Sequence, residues 1–376
     1  MAWWVVFDHG LHLIGEGGTT KGNEPPFLAF VPHKVIALLT QGPTAVHVFM
    51  IISGFVIANL LLSKREGYAA YLTRRAFRLF PIYLLCLGLA LASMHLHRIA
   101  YIDNPFSEFR LNEINLAASE DQNFLTHLGL HVSLLHGLVP NVLVPHASGA
   151  LLTPAWSLSL EWQFYLLAPL LVAALISRGV IVRWSCALLL TAVAVLLPHQ
   201  TTLTWDFGSF LGQVSGYFVV GILCRQALEQ HQNRKPVTEL LVLIALVAIF
   251  LDKLAITIWI GWSIIVLIET GSLVVRNRIL AKSINLLAFS RFPRQAGIWS
   301  FSTYLVHFPI YSVVIGSYGL MVGSANMRQS TIALLLVACL PIILAASALL
   351  YRMIEAPGIK LGRSAAGSLR GHGQIG

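Results

Sequence analysis

Charge is what this sequence has least of: Asp, Glu, Lys and Arg make up 11% of 376 residues, against about 25% in a soluble domain. With 56% of its residues hydrophobic, a water-soluble core would leave much of that surface with nowhere to go. Cysteine is equally sparse. Cys86, Cys186, Cys224 and Cys339 stand singly in apolar stretches with no CxxC pair, so neither a disulfide framework nor a metal site is expected. No GxSxG, GxxxxGKS/T or HExxH run occurs, which argues against a serine hydrolase, an ATP-driven pump and a zinc protease. The opening MAWWVVFDHGLHLI has no basic stretch ahead of it and no small-residue cleavage site, so a cleaved signal peptide is not expected. Internal repeats, low-complexity tracts and Pro/Gly linkers are absent as well.

What the chain does have is a succession of apolar runs, at about 1–14, 43–62, 79–97, 155–177, 181–198, 207–224, 237–251, 254–275, 299–320 and 330–351. A helix needs roughly 17 to 25 apolar residues to cross a bilayer. The expected fold is therefore all-α, a polytopic membrane bundle of about ten transmembrane helices, with one membrane domain over 1–363 and a short tail over 364–376. The first run is short for a span. Formal charge is +9, but the basic residues sit in short loops rather than in a patch, so no nucleic-acid partner is expected. Counting loops in order, the even ones and the tail hold 19 of the 25 lysines and arginines. The positive-inside rule then puts both termini in the cytoplasm and membrane lipids around the bundle. The longest loop, 98–154, falls outside. Its half FLTHLGLHVSLLHGLVPNVLVPH reads as an interfacial helix, a re-entrant segment or a lid.

Ionisable side chains inside spans are costly and usually functional. Here they are His9, Glu161, Glu269 and His307, with His12 on the same helix face as His9. A buried imidazole can take a proton from a hydroxyl, or it can simply bond a neighbouring helix. Arg74, Arg75 and Arg78, in YLTRRAFRLFPIY, stand at a span entrance; Arg75 and Arg78 share a face and can grip phosphates, or mark topology only. In TPAWSLSLEWQFYLLAPLL, Glu161 lies among aromatics with Ser157 and Ser159 nearby. It can orient a histidine, accept a sugar hydroxyl or lock two helices. In SFSTYLVHFPIYSVV, Tyr304 and His307 share a face, and Pro309 marks either a helix broken beside a cavity or a kink with a satisfied core histidine.

Six blocks in order, WWVVFDHGLHLI, VFMIISGFVIANLLL, YLTRRAFRLFPIY, PAWSLSLEWQFYLLAPLL, SFSTYLVHFPI and YRMIEAPGIKLG, make the chain resemble the membrane-bound acyltransferase-3 family. Its bacterial members include O-antigen and exopolysaccharide acetylases of the inner membrane. The HxxxxD arrangement of glycerolipid acyltransferases is missing. The resemblance implies transfer of an acyl group, acetyl first, from acyl-CoA to a hydroxyl of a carbohydrate or glycoconjugate, with acyl-CoA as co-substrate and no bound cofactor. His9 and Glu161 match the family's catalytic positions; Arg74, Arg75 and Arg78 match its acyl-CoA-binding cluster. Ser53, Gly54, Trp156, Ser157, Tyr304 and His307 match positions around the cavity, as acceptor or oxyanion support, and Glu355-x-Pro357 matches the closing motif. The family's first span carries an arginine about three helical turns before the histidine; here it would precede Met1, so a start placed too late is expected. Asp8 beside His9 is unusual for the family. A transporter or flippase, which would show related halves, and an inactive family copy are the competing readings. The residues assign no oligomeric state.

Overall fold

The computed structural model describes residues 1–15, 28, 31–63, 66–177, 179–199, 202–269 and 291–371. It is helical, and no strand occurs among these residues. In chain order the helices are α1 Ala2–Leu13, α2 His33–Leu39, α3 Gly42–Ser63, α4 Tyr68–Ala92, α5 Met94–Arg98 and α6 Arg110–Val132. They continue as α7 Trp156–Leu175, α8 Val180–Leu196, α9 Leu211–Gln232, α10 Thr238–Ala248 and α11 Lys253–Glu269. The last four are α12 Arg291–Ile298, α13 Ser300–Val322, α14 Gln329–Leu350 and α15 Ala356–Gly371, with a π turn, Tyr351–Glu355, leading into α15. In a bilayer no water is available to backbone groups, so apolar runs close their own hydrogen bonds as helices.

Each of the ten apolar runs contains a helix, but among the described residues six stretches are long and apolar enough to cross a membrane. They are Gly42–Ser63, Tyr68–Ala92, Thr153–Leu175, Val180–His199, Ser300–Val322 and Gln329–Leu369. Helices α1, α10 and α11 have 12, 11 and 17 residues. Helix α9 carries Gln213 within its apolar run and continues past it into a polar end that begins at Arg225. The structure thus supports a multi-pass membrane bundle and not a count of ten. Glu269 is the last described residue of α11, and its side chain lies outside the described residues. Helix α15 continues through residue 363 to Gly371.

Helix α4 begins at Tyr68 and carries Arg74, Arg75 and Arg78, as their sharing of a helix face requires. One expectation changes. Pro309 does not break α13, which runs unbroken from Ser300 to Val322. Neighbouring buried chain holds it: Phe308 and Tyr311 are both in the core.

Close packing at the centre comes from small residues, since lipid gives helices no hydrophobic reason to associate. A Cβ on Gly54 of α3 would stand 2.5 Å from the Phe218 carbonyl oxygen of α9. One on Gly221 of α9 would stand 2.1 Å from the Ile51 carbonyl oxygen of α3. The two backbones touch there. Over one end of the bundle lies a cap made from residues 94–155. Its chief element is α6, which buries Glu113, Leu116, Ser119, Glu120, His127 and His131. Tyr83 of α4 ties it down by donating to the His131 carbonyl at 2.9 Å. The long loop is therefore a folded lid.

Candidate active site

Helix α1 packs between α3 and α13, and this contact joins two histidines that are 298 positions apart. His9 Nδ1 lies 3.1 Å from His307 Nε2. His307 Nδ1 lies 3.2 Å from the Thr303 carbonyl, which can only accept. His307 therefore carries its proton on Nδ1, and its Nε2 accepts from His9 Nδ1–H. The chain of bonds leaves His9 Nε2 as an unprotonated acceptor, and no hydrogen bond engages it among the described residues. The ring is set for taking up a proton.

His9 lines a cavity of ≈ 240 Å³ under the cap, together with Asp8, His12, Asn112, Glu113, Trp156, Phe207 and Tyr304. Around it the polar groups are paired. Asp8 accepts the Gly42 N–H at 3.1 Å, at the positive end of α3 where a carboxylate is favoured. That contact accounts for the acid beside His9: it fastens α1 to α3. His12 sits 2.7 Å from Glu108 and 3.5 Å from Asp8. His97 Nε2 lies 3.0 Å from Glu113, and its Nδ1 lies 3.2 Å from Ser312 Oγ.

A second cavity, ≈ 90 Å³, is lined by Arg78, Glu161, Ser157 and apolar Ala2, Phe49, Leu158 and Phe301. Val5, Val46 and Tyr304 line both cavities. These three side chains therefore border both the arginine side and the histidine side. At the partition Ser157 Oγ–H donates to Tyr304 Oη at 2.8 Å, and Tyr304 donates to the Pro154 carbonyl at 2.8 Å.

The structure thus gathers His9, His307, Trp156, Ser157 and Tyr304 but separates others. Glu161 stands in the Arg78 cavity, where Tyr165 donates to it, so His307 and not Glu161 orients His9. Ser53 and Gly54 line neither cavity; Gly54 serves the α3–α9 contact. The three arginines diverge. Arg74 is ion-paired with Glu66, Arg75 lies over the Tyr165 ring at 5.6 Å, and Arg78 alone lines a cavity. Glu355 accepts from Ser302 Oγ at 2.7 Å and ties the π turn to α13. Ser159 donates to the Leu134 carbonyl at 2.7 Å, holding α7 to the cap.

Residue-by-residue reading missed His97, Asn112, Glu113 and Phe207, all at or beside the histidine cavity. Glu113 had a signal in the acidic residues of 98–154, Asp103, Glu108, Glu113, Glu120 and Asp121, but His97, Asn112 and Phe207 had none, and nothing local says that the segment folds back over α1. Nor did it find the cap's own device. His131 and His136 stack with ring centroids 4.0 Å apart and an interplanar angle of 5°. Burial holds both below the ordinary histidine range, His136 pushed down to about 4.

The family described as "Acyltransferase domain" (Acyl_transf_3) matches residues 1–352, nearly the whole chain. The acyltransferase MdmB of Streptomyces mycarofaciens is 27% identical over 175 residues. That match covers 45% of this chain and 38% of the relative's own length. No solved structure matches. The chain belongs to the acyltransferase-3 family.

Proposed function

Taking that membership as the premise, we propose that the enzyme moves an acyl group, acetyl in the first instance, from acyl-CoA to a hydroxyl of a carbohydrate or glycoconjugate. The observation that carries this is the pair of cavities meeting at Val5, Val46 and Tyr304, with an arginine in one and a free imidazole nitrogen in the other. The basic end faces the cytoplasm of a bacterial inner membrane, both termini included, in line with the distribution of lysine and arginine. Acyl-CoA enters there. Arg78 pairs with a phosphate, Arg75 adds charge nearby, and the thioester lies along the apolar lining.

The acceptor enters beneath the cap. Its hydroxyl gives its proton to His9 Nε2 as its oxygen attacks the thioester carbonyl. At rest Ser157 O–H is committed to Tyr304 and Tyr304 O–H to the Pro154 carbonyl, so Tyr304 turns from that carbonyl to donate to the oxygen that becomes negative. The tetrahedral intermediate collapses, the C–S bond breaks, and the imidazolium returns its proton to the departing CoA sulfur. Ester and free CoA result, with no net change at the enzyme. Through His307, the imidazolium charge is shared along the chain to Thr303.

The test is transfer of labelled acetyl from acetyl-CoA in membranes containing the chain. His9→Ala should remove label from the glycan fraction and leave the amount of inserted protein unchanged. Full transfer by that variant would end the assignment of His9. Flux of a solute without any need for CoA would replace the enzyme by a transporter.

A further inference from the structure

The histidine cavity has one wall that acid–base chemistry does not use. Trp156 and Phe207 stand there with ring centroids 6.1 Å apart and an interplanar angle of 19°. Phe207 is 42% exposed, so it is no core residue, and it lies in the loop between α8 and α9, outside the candidate spans. Its backbone is left-handed, φ +61°, a conformation that a bulky side chain avoids. Gly208 follows at φ +72°.

The loop is fastened so that this conformation persists. Asp206 receives a hydrogen bond from Asn141 Nδ2 at 2.8 Å and meets His146 Nδ1 at 3.0 Å. The Asn141 N–H donates to the Thr204 carbonyl at 2.8 Å. His146 is itself left-handed, φ +56°. On the far side of the ring Gly149 leaves the space it needs, since a Cβ there would stand 2.7 Å from Phe207 Cε2. Strain held by surrounding bonds, at a cavity, around an exposed aromatic ring is a mark of a binding surface.

We infer that Trp156 and Phe207 form the acceptor subsite and receive the C–H face of a pyranose ring. An aromatic face is electron-rich and attracts the weakly positive C–H bonds that a sugar presents on one side. The sugar's hydroxyls point outward from its edge, where Asn112 and Glu113 line the same cavity and His9 Nε2 waits for one of them. Glu113 is aimed by its bond to His97 and acts as an acceptor for a second hydroxyl. The subsite names the substrate class of the reaction proposed above and rests on that reading.

The experiment uses the full chain in nanodiscs, free of glycoside detergents, with labelled acetyl-CoA and a panel of methyl and octyl glycosides, octanol and octylamine. The wild type should acetylate at least one glycoside with saturation, and prefer it to octanol and octylamine. Phe207→Ala should raise KM for that glycoside about tenfold, and Phe207→Tyr should restore it. KM for acetyl-CoA should stay where it was. Gly149→Ala, which displaces the ring without removing it, should raise the glycoside KM in the same direction. An unchanged glycoside KM in both Phe207→Ala and Gly149→Ala overturns the subsite, as does a wild type that prefers octanol or octylamine while still turning over acetyl-CoA through His9. Absence of any His9-dependent turnover by the wild type overturns the acyl-transfer reading itself, and the subsite with it.

Discussion

Replacing His307 with phenylalanine would leave the His9 Nδ1–H facing a hydrocarbon ring in place of the imidazole nitrogen 3.1 Å away. His307 is buried, so water does not substitute for it readily. A buried donor deprived of its acceptor costs about 1–3 kcal/mol. The cheapest escape for His9 is to move its proton to Nε2, which presents an N–H to the acceptor hydroxyl and abolishes base function. Productive tautomer is then reached only against that cost, and kcat should fall about 10- to 100-fold. Removing the base altogether should cost more, about 10²- to 10⁴-fold. His307→Gln, whose side-chain oxygen can accept from His9, should recover much of the loss. The assay is release of free CoA with acceptor present, read across a pH series in nanodiscs. The double variant His9→Ala/His307→Phe should be no slower than His9→Ala, because His307 works only through His9. Full kcat in His307→Phe would refute the reasoning. So would a double variant much slower than His9→Ala.

Arg78→Gln should raise KM for acetyl-CoA by about tenfold or more, since one charged hydrogen bond to phosphate is lost, and Arg74→Gln, already paired with Glu66, should do less; equal effects in a donor titration would count against Arg78 as the phosphate ligand. Gly221→Ala places a methyl group 2.1 Å from a backbone oxygen that cannot move aside, and should lower stability in detergent by about 1–3 kcal/mol, seen as a fall in melting temperature with no specific effect on KM. Burial depresses His136 from the ordinary value of 6.5 to about 4, so its neutral form stabilises the cap above pH 6.5, and that contribution, up to about 3 kcal/mol, is lost as pH falls from 6.5 towards 4. Melting curves by tryptophan fluorescence at pH 7.5, 6 and 5 should show the decline, and His136→Gln should make it shallower; parallel curves for the two proteins would refute the assignment.

Sequence alone determined the solvent and the secondary structure. Every apolar run contains a helix because a chain in lipid can satisfy its backbone only within itself, a rule that needs no tertiary information. His9, His307, Trp156, Ser157 and Tyr304 were also legible, as polar or aromatic side chains where hydrocarbon is expected. Which of them act together was not. Whether His9 meets His307 or Glu161 depends on the rotation of α1 about its axis and on which helices touch it, and no local pattern encodes either. Gly54 reads as part of a site in one dimension and is a packing surface in three. Asp8 reads as an intrusion and is the anchor of α1 on α3. The loop 98–154 had three readings in the sequence, and contacts with α4, α7 and α1 chose the lid. Composition and period act over a few turns of chain, whereas His9 and His307 are 298 positions apart and the cavity that His9 lines is built from segments as distant. Their meeting was decided by the packing of whole helices.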